Sequence, residues 1–168
     1  YVTKGKIAEA PARIKRIALD LVTHYTTHIE PNGYKAMLVA PSREAAVLYK
    51  KELDKLNAPA SQIIMTSDLG ETGKDDQSWD EYYLSSQQRE AESEKFKSAD
   101  DPTKILIVVD MLLVGYDAPI CQVLYLDKGI REHNLLQAIA RVNRPYDEPK
   151  TFGLIVDYSG VTTELQKA

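Results

Sequence analysis

Five short apolar runs interrupt an otherwise mixed chain: Lys35–Ala40, Gln62–Thr66, Lys104–Val109, Gln122–Asp127 and Phe152–Tyr158. None alternates apolar with polar residues, so each predicts a strand covered on both faces, as in a parallel sheet. Helical spacing lies between several of them. Over Glu9–Ile29, residues Ile14, Ile17, Ala18, Leu21, Val22 and Tyr25 recur at the intervals of one helix face. Ser42–Leu56 follows the first strand at once. Ser42 suits its N-cap, Glu44 its positive end, and Ala45, Ala46, Leu48, Tyr49 and Leu53 a packing face. Asp80–Lys97 predicts a more polar helix anchored by Tyr83, Leu84 and Phe96. Alternation of strand and helix gives an α/β fold with right-handed crossovers. Leu69–Trp79, with Gly70, Gly73 and several acidic residues, reads as an exposed loop.

Length and charge narrow the picture. At 168 residues the chain fits one domain, with residues 1–30 as a leading amphipathic helix. A domain of this size buries about two thirds of its unfolded surface and needs no disulfide or metal to fold. The lone Cys121 agrees and suits a reducing compartment. No apolar run approaches the ~20 residues of a membrane span. The opening at Tyr1 lacks both an initiator methionine and an apolar signal core, as a fragment of a larger chain would. A net charge of −4 argues against a self-sufficient DNA-binding module, which is usually basic.

Several motifs carry little. Gly70-Glu71-Thr72-Gly73-Lys74 resembles a phosphate-binding loop only superficially, because two residues rather than four separate the glycines and Asp75 follows the lysine. His24 and His28 stand four apart but lack a third ligand in the segment, so no metal site is expected. Cys121 opens an apolar strand and reads as core.

Two stretches carry more. On a helix over Asn134–Pro145, Leu135, Leu136, Ile139 and Val142 share one face and Gln137, Arg141 and Arg144 the opposite one. A solvated face with an Asn-x-x-Gln capping box explains that pattern. So does a phosphoryl-transfer site, where the arginine fork matches phosphate oxygens. In Val108–Pro119, a buried strand leads into Asp110, Gly115 and Asp117. Ligands of open α/β sheets gather beyond the carboxyl ends of strands. The alternative is a plain connection in which Gly115 supplies an unusual backbone angle and Asp117-Ala118-Pro119 a turn.

The run Lys104–Pro145 closely resembles motifs V and VI of the R subunit of type I restriction–modification enzymes. Lys35–Tyr49 resembles that family's motif IV region, and Phe152–Val161 the segment after motif VI. From Lys35 to Val161 the resemblance spans roughly three quarters of the chain. The resemblance implies the second RecA-like domain of a superfamily 2 motor that couples ATP hydrolysis to movement along double-stranded DNA before cutting it. It implies ATP held between this domain and an upstream RecA-like domain, with the Mg2+ ligands outside these residues and no cofactor held by this piece alone. Arg144 would be the arginine finger on the γ-phosphate, Arg141 a second charge-stabilising group and Gln137 their positioner. Gly115 and Asp117 match motif V at the nucleotide. Ser42 and Arg43 match motif IV and imply contacts to DNA phosphates, with Asp110 in the same DNA group; for Ser42 a plain helix cap is an equal alternative. The further implied partners are an upstream nuclease domain and the modification and specificity subunits, in a prokaryotic cytoplasm and away from membranes.

Two positions depart from the wider superfamily. Val109 stands where many such motors carry a DNA-binding threonine, so that contact is not carried over. Ala140 replaces a common glycine. A phosphate-binding loop, an Asp-Glu box and a nuclease carboxylate–lysine cluster are all missing from the 168 residues. The piece alone is therefore expected neither to hydrolyse ATP nor to cut DNA. The rival readings are another superfamily 2 helicase or translocase, and a non-catalytic α/β domain that docks a partner.

Overall fold

The computed structural model describes residues 4–109, 116–129, 136–137, 140, 142–143, 145–147 and 153–159. Its centre is a five-stranded sheet of β1 (Lys35–Val39), β2 (Ser61–Ile64), β3 (Ile105–Val108), β4 (Cys121–Leu126) and β5 (Leu154–Asp157). The strand order is β2-β3-β1-β4-β5, and every pairing is parallel. Each strand overlaps one predicted run: β1, β3 and β5 lie within theirs, while β2 and β4 begin one residue earlier, at Ser61 and Cys121. Strands covered on both faces read as apolar stretches.

Helices α1 (Lys4–Ala8), α2 (Pro11–His24), α3 (Arg43–Lys55) and α4 (Ser86–Phe96) complete the regular elements described in full. Alternate strand residues serve two cores. Ala36, Leu38, Ile105, Ile107, Val123 and Tyr125 pack with α2 and α3. Met37, Val39, Leu106, Val108 and Leu124 pack with Phe96 of α4 and with Val142. Helical layers thus cover both faces of the sheet, as expected of a three-layer α/β fold.

Local chemistry corrects three helix expectations. The leading helix starts at Pro11 rather than Glu9, as α2, and runs without a break into a π turn over Tyr25–Ile29. The segment Asp80–Lys97 divides into a 3-10 turn at Asp80–Tyr82 and α4. Ser85 is the cause, since it and Gln88 form a reciprocal capping box that starts a new helix. In the helical stretch before β5, Val142 is buried as expected, but Leu136 is 62% exposed. In the predicted helix Leu136 falls at the margin of the apolar stripe, ~100° from the preceding position.

A buried lysine ties the amino end of the sheet to α4. Lys35 Nζ donates to the carbonyls of Phe96 (2.9 Å), Ser98 (2.8 Å) and Asp101 (3.1 Å), taking up the last carbonyl of α4 and two from the turn beyond it. Burial pulls its pKa down, partly countered by the Asp101 carboxylate. At the start of β5, a Cβ on Gly153 would stand 2.2 Å from the Val142 carbonyl oxygen. Glycine there lets β5 lie directly against the end of the preceding helix, and the Gly153 amide donates to Asn143 Oδ1 at 3.0 Å. Among the described residues no helix is long and apolar enough to cross a membrane.

Candidate functional site

β1 and β4 are neighbours, yet the chain leaves β1 towards β2 on one side and β4 towards β5 on the other. Their carboxyl ends therefore form a topological switch point, where open α/β sheets take ligands. Asp127 follows β4 there, its amide bonded to Val39 O at 2.9 Å. Arg13 of α2 meets the carboxylate with both terminal nitrogens, at 2.8 Å and 2.5 Å. Tyr49 of α3 donates its hydroxyl to Asp127 Oδ2 at 2.5 Å, and Arg13 also reaches Tyr158 O at 3.2 Å. Burial opposes the charge on Arg13, but the hydrogen bonds and field of Asp127, with Tyr49 behind it, hold the pKa above its ordinary value. Burial, then the Asp127 carboxylate, push the Tyr49 phenol far up, so it stays a donor.

This cluster was not anticipated. Its only signal was a charged residue, Arg13, flanking the apolar stripe of an amphipathic helix, together with a carboxylate ending an apolar run. The partners lie 114 positions apart, which no local pattern joins.

The motif IV pair sits at the same carboxyl edge. Ser42 caps α3, its Oγ accepting from the Ala45 amide at 3.1 Å and donating to Glu9 Oε1 at 3.1 Å. Arg43 NH1 donates to Thr66 O (3.1 Å) and Glu71 Oε2 (2.7 Å), with its guanidinium 5.3 Å from the Trp79 ring centre. Ser42 is thus a helix cap in the structure, and the hydroxyl proton is already directed at a carboxylate. Gln137 is half-buried on the helix before β5. Asp117 is half-buried on the stretch leading back to β4, between the buried Tyr116 and Ala118. Tyr116 donates to Ser93 O of α4 at 2.7 Å, which fixes that stretch against the α4 face. The structure does not bring Ser42 and Arg43 onto Asp117; their hydrogen bonds go to residues 9, 45, 66 and 71. Asp110, Gly115, Arg141 and Arg144 lie outside the described residues.

The glycine-containing loop is not a nucleotide loop that opens a helix. Gly73 donates to Gln77 O at 3.0 Å, and the Lys74 amide faces the Glu44 carboxylate at 3.2 Å. Thr72 and Ser78 form an antiparallel bridge, so the loop is a tight hairpin rather than an open coil.

His24 and His28 line a cleft of about 550 Å³ with Ile29, Asn32, Tyr34, Gln122 and Leu154. Their ring centres are 5.2 Å apart, and His24 Nδ1 lies 2.6 Å from the Tyr125 hydroxyl. Burial and the neighbouring His28 lower the His24 pKa from 6.5, against a smaller opposing pull from Asp20. The unfolded chain therefore binds more protons just below pH 6.5 than the folded one. That contribution to stability is complete above pH 6.5 and is lost as pH falls through the lowered value. Tm measured against pH should fall on acidification below 6.5, and His24→Asn should flatten that slope. An unchanged slope would contradict the assignment.

With the geometry in view, comparison with known proteins gives consistent results. A family model described as type I restriction enzyme subunit R domain 3 matches residues 68–160. The type I restriction enzyme HindI endonuclease subunit of Haemophilus influenzae is 37% identical over 176 residues. That alignment spans 98% of this chain and 16% of the Haemophilus protein. Among solved structures, a fragment described as an HsdR subunit of a type I restriction enzyme from Vibrio vulnificus YJ016 superposes with a TM-score of 0.67 at 18% identity, over 98% of this chain and 30% of that one. The C-terminal part of the Fun30 ATPase domain gives 0.58 at 14% identity, over 88% and 43%. Mss116p DEAD-box helicase domain 2, bound to an RNA duplex, gives 0.51 at 18% identity, over 88% and 50%. The five parallel strands and two helical layers are thus a RecA-like fold of the helicase type. The chain belongs to the R-subunit, or endonuclease-subunit, family of type I restriction enzymes.

Proposed function

We propose that this chain is the second RecA-like domain of an ATP-driven motor on double-stranded DNA, and that it contributes half of a composite ATPase site. The observation that carries the proposal is the Gln137-x-x-x-Arg141-x-x-Arg144 spacing beside a helix that the structure anchors. Val142, which helical spacing sets opposite that stripe, is buried in the α4-side core. Arg144 then places positive charge on the γ-phosphate oxygens as they gain negative charge, with Arg141 as a second such group and Gln137 positioning both. A planar guanidinium that stays charged is suited to that task. Asp117 and Gly115 serve the nucleotide side, and Ser42, Arg43 and Asp110 the DNA side.

The two polar groups of the nucleotide set that are described, Asp117 and Gln137, are both half-buried, as suits residues that meet a ligand at a domain boundary. ATP with Mg2+ supplies the free energy of movement; the magnesium ligands and phosphate-binding loop belong to the upstream domain. Alone, this piece is inactive. In the complete protein it works with an upstream nuclease domain and with modification and specificity subunits, in the cytoplasm. Because the chain spans 16% of its Haemophilus relative, these are statements about a longer protein.

Changing Gln137, Arg141 and Arg144 together to alanine in the complete R subunit tests the proposal. DNA-dependent ATP hydrolysis should disappear while the Tm of the domain is kept. Hydrolysis at the parent rate would instead make this a non-catalytic docking domain.

A further inference from the structure

Around the start of α3 and the hairpin over residues 67–80, Arg43, Ser42 and Lys74 each hold a carboxylate. Glu71 Oε2 accepts from Arg43 at 2.7 Å and from the Asp68 amide at 3.1 Å. Those two hydrogen bonds hold the Glu71 carboxyl below the usual carboxylate range, so it is ionised. Glu9 reaches across from the segment between α1 and α2, one oxygen on Ser42 Oγ at 3.1 Å and the other on Lys74 Nζ at 2.5 Å. The Lys74 amide meets the Glu44 carboxylate at 3.2 Å. Arg43 and Lys74 have side chains 41% and 69% exposed, so both pairs stand in water and are weak enough to be exchanged. The Arg43 guanidinium also lies over the Trp79 ring, 5.3 Å from its centre, a cation–π contact.

Carboxylate and phosphodiester oxygens are alike to such donors: anionic acceptors at similar hydrogen-bond distances. We propose that Glu71 and Glu9 are internal stand-ins for DNA backbone phosphates, holding Arg43, Ser42 and Lys74 ready in the free protein and giving way to phosphates when duplex DNA binds. Lys74, and with it the hairpin, thereby joins the DNA grip, although no motif marks it. This rests on the reading of Ser42 and Arg43 as DNA contacts. It also accounts for a DNA-directed edge on a chain of net charge −4: without DNA its cations are internally neutralised, which suppresses weak, unproductive binding.

The test is the affinity of the complete R subunit for a fluorescein-labelled nonspecific duplex, by anisotropy across a range of salt. Arg43→Ala and Lys74→Ala should each weaken binding and reduce the salt slope by about one phosphate contact. Glu71→Gln should tighten binding about two- to five-fold, the range set by the strength of an exposed ion pair. That gain should vanish when Arg43 is also alanine. Glu9→Gln should behave likewise with respect to Lys74. Asp76→Asn makes the same charge change on the same hairpin, and Asp76 joins no ion pair among the described residues, so it should tighten binding less. If Arg43→Ala leaves affinity unchanged, the DNA reading of this edge falls and the stand-ins fall with it. If Arg43→Ala weakens binding but Glu71→Gln does not tighten it, or tightens it equally without Arg43, only the stand-in proposal is overturned.

Discussion

Asp127→Ala should destabilise the domain by about 3–5 kcal/mol, the usual cost of leaving one member of a buried ion pair uncompensated. Asp127 and Arg13 have side chains 0% and 4% exposed. Without the carboxylate, the guanidinium remains at the switch point with no counter-charge, and the Tyr49 hydroxyl loses its acceptor. Four parts of the fold converge on that one carboxylate: α2 through Arg13, α3 through Tyr49, β4 directly, and the end of β5 through Tyr158 O on Arg13. Urea unfolding would measure the loss as a lower midpoint at unchanged slope. Removing both charges tells the pair apart from its parts. An Arg13→Met, Asp127→Leu double variant should recover most of the stability, because the desolvation cost of both ions goes with them. A loss below about 1 kcal/mol for Asp127→Ala would mean that water reaches the pair and screens it.

Arg144→Ala in the complete R subunit should leave ATP binding near normal and slow turnover about 10³-fold or more, as removal of an arginine finger does elsewhere. The asymmetry follows from when the charge is needed. The γ-phosphate oxygens gain charge on the way to the transition state, so a group aimed at them contributes more to turnover than to binding. A thousandfold loss corresponds to about 4 kcal/mol of transition-state stabilisation. Arg144→Lys should recover only part of it, since an ammonium keeps the charge but not the planar fork. Equal losses in ATP affinity and turnover would place Arg144 in ground-state binding instead.

The strands were legible because a sheet covered on both faces demands apolar residues at successive positions. Even β5, at the sheet edge and partly exposed, kept the run Leu154-Ile155-Val156. The cap at Ser42 was legible too, since capping is local chemistry. What escaped is long-range or polar. Lys35 looked like the first residue of an apolar strand, yet its amine crosses to the end of α4. The break at Ser85 hid inside a polar stretch that had no continuous apolar stripe to interrupt. Arg13–Asp127, Glu9–Ser42 and Glu71–Arg43 join segments that only the tertiary fold brings together. At the candidate site, the residue types and spacing of the Gln–Arg–Arg motif were open to view from the start. That the motif IV cations would hold internal carboxylates was not, because pairing depends on where two loops come to rest.

The most direct measurement is ATP-driven displacement of a third DNA strand, placed downstream of the recognition site, by the complete restriction enzyme carrying either the parent or the Arg144→Ala R subunit. The expected result is steady displacement by the parent and none by the variant, with both enzymes binding the DNA equally. Displacement by the variant at the parent rate would contradict a motor role for this domain's arginine.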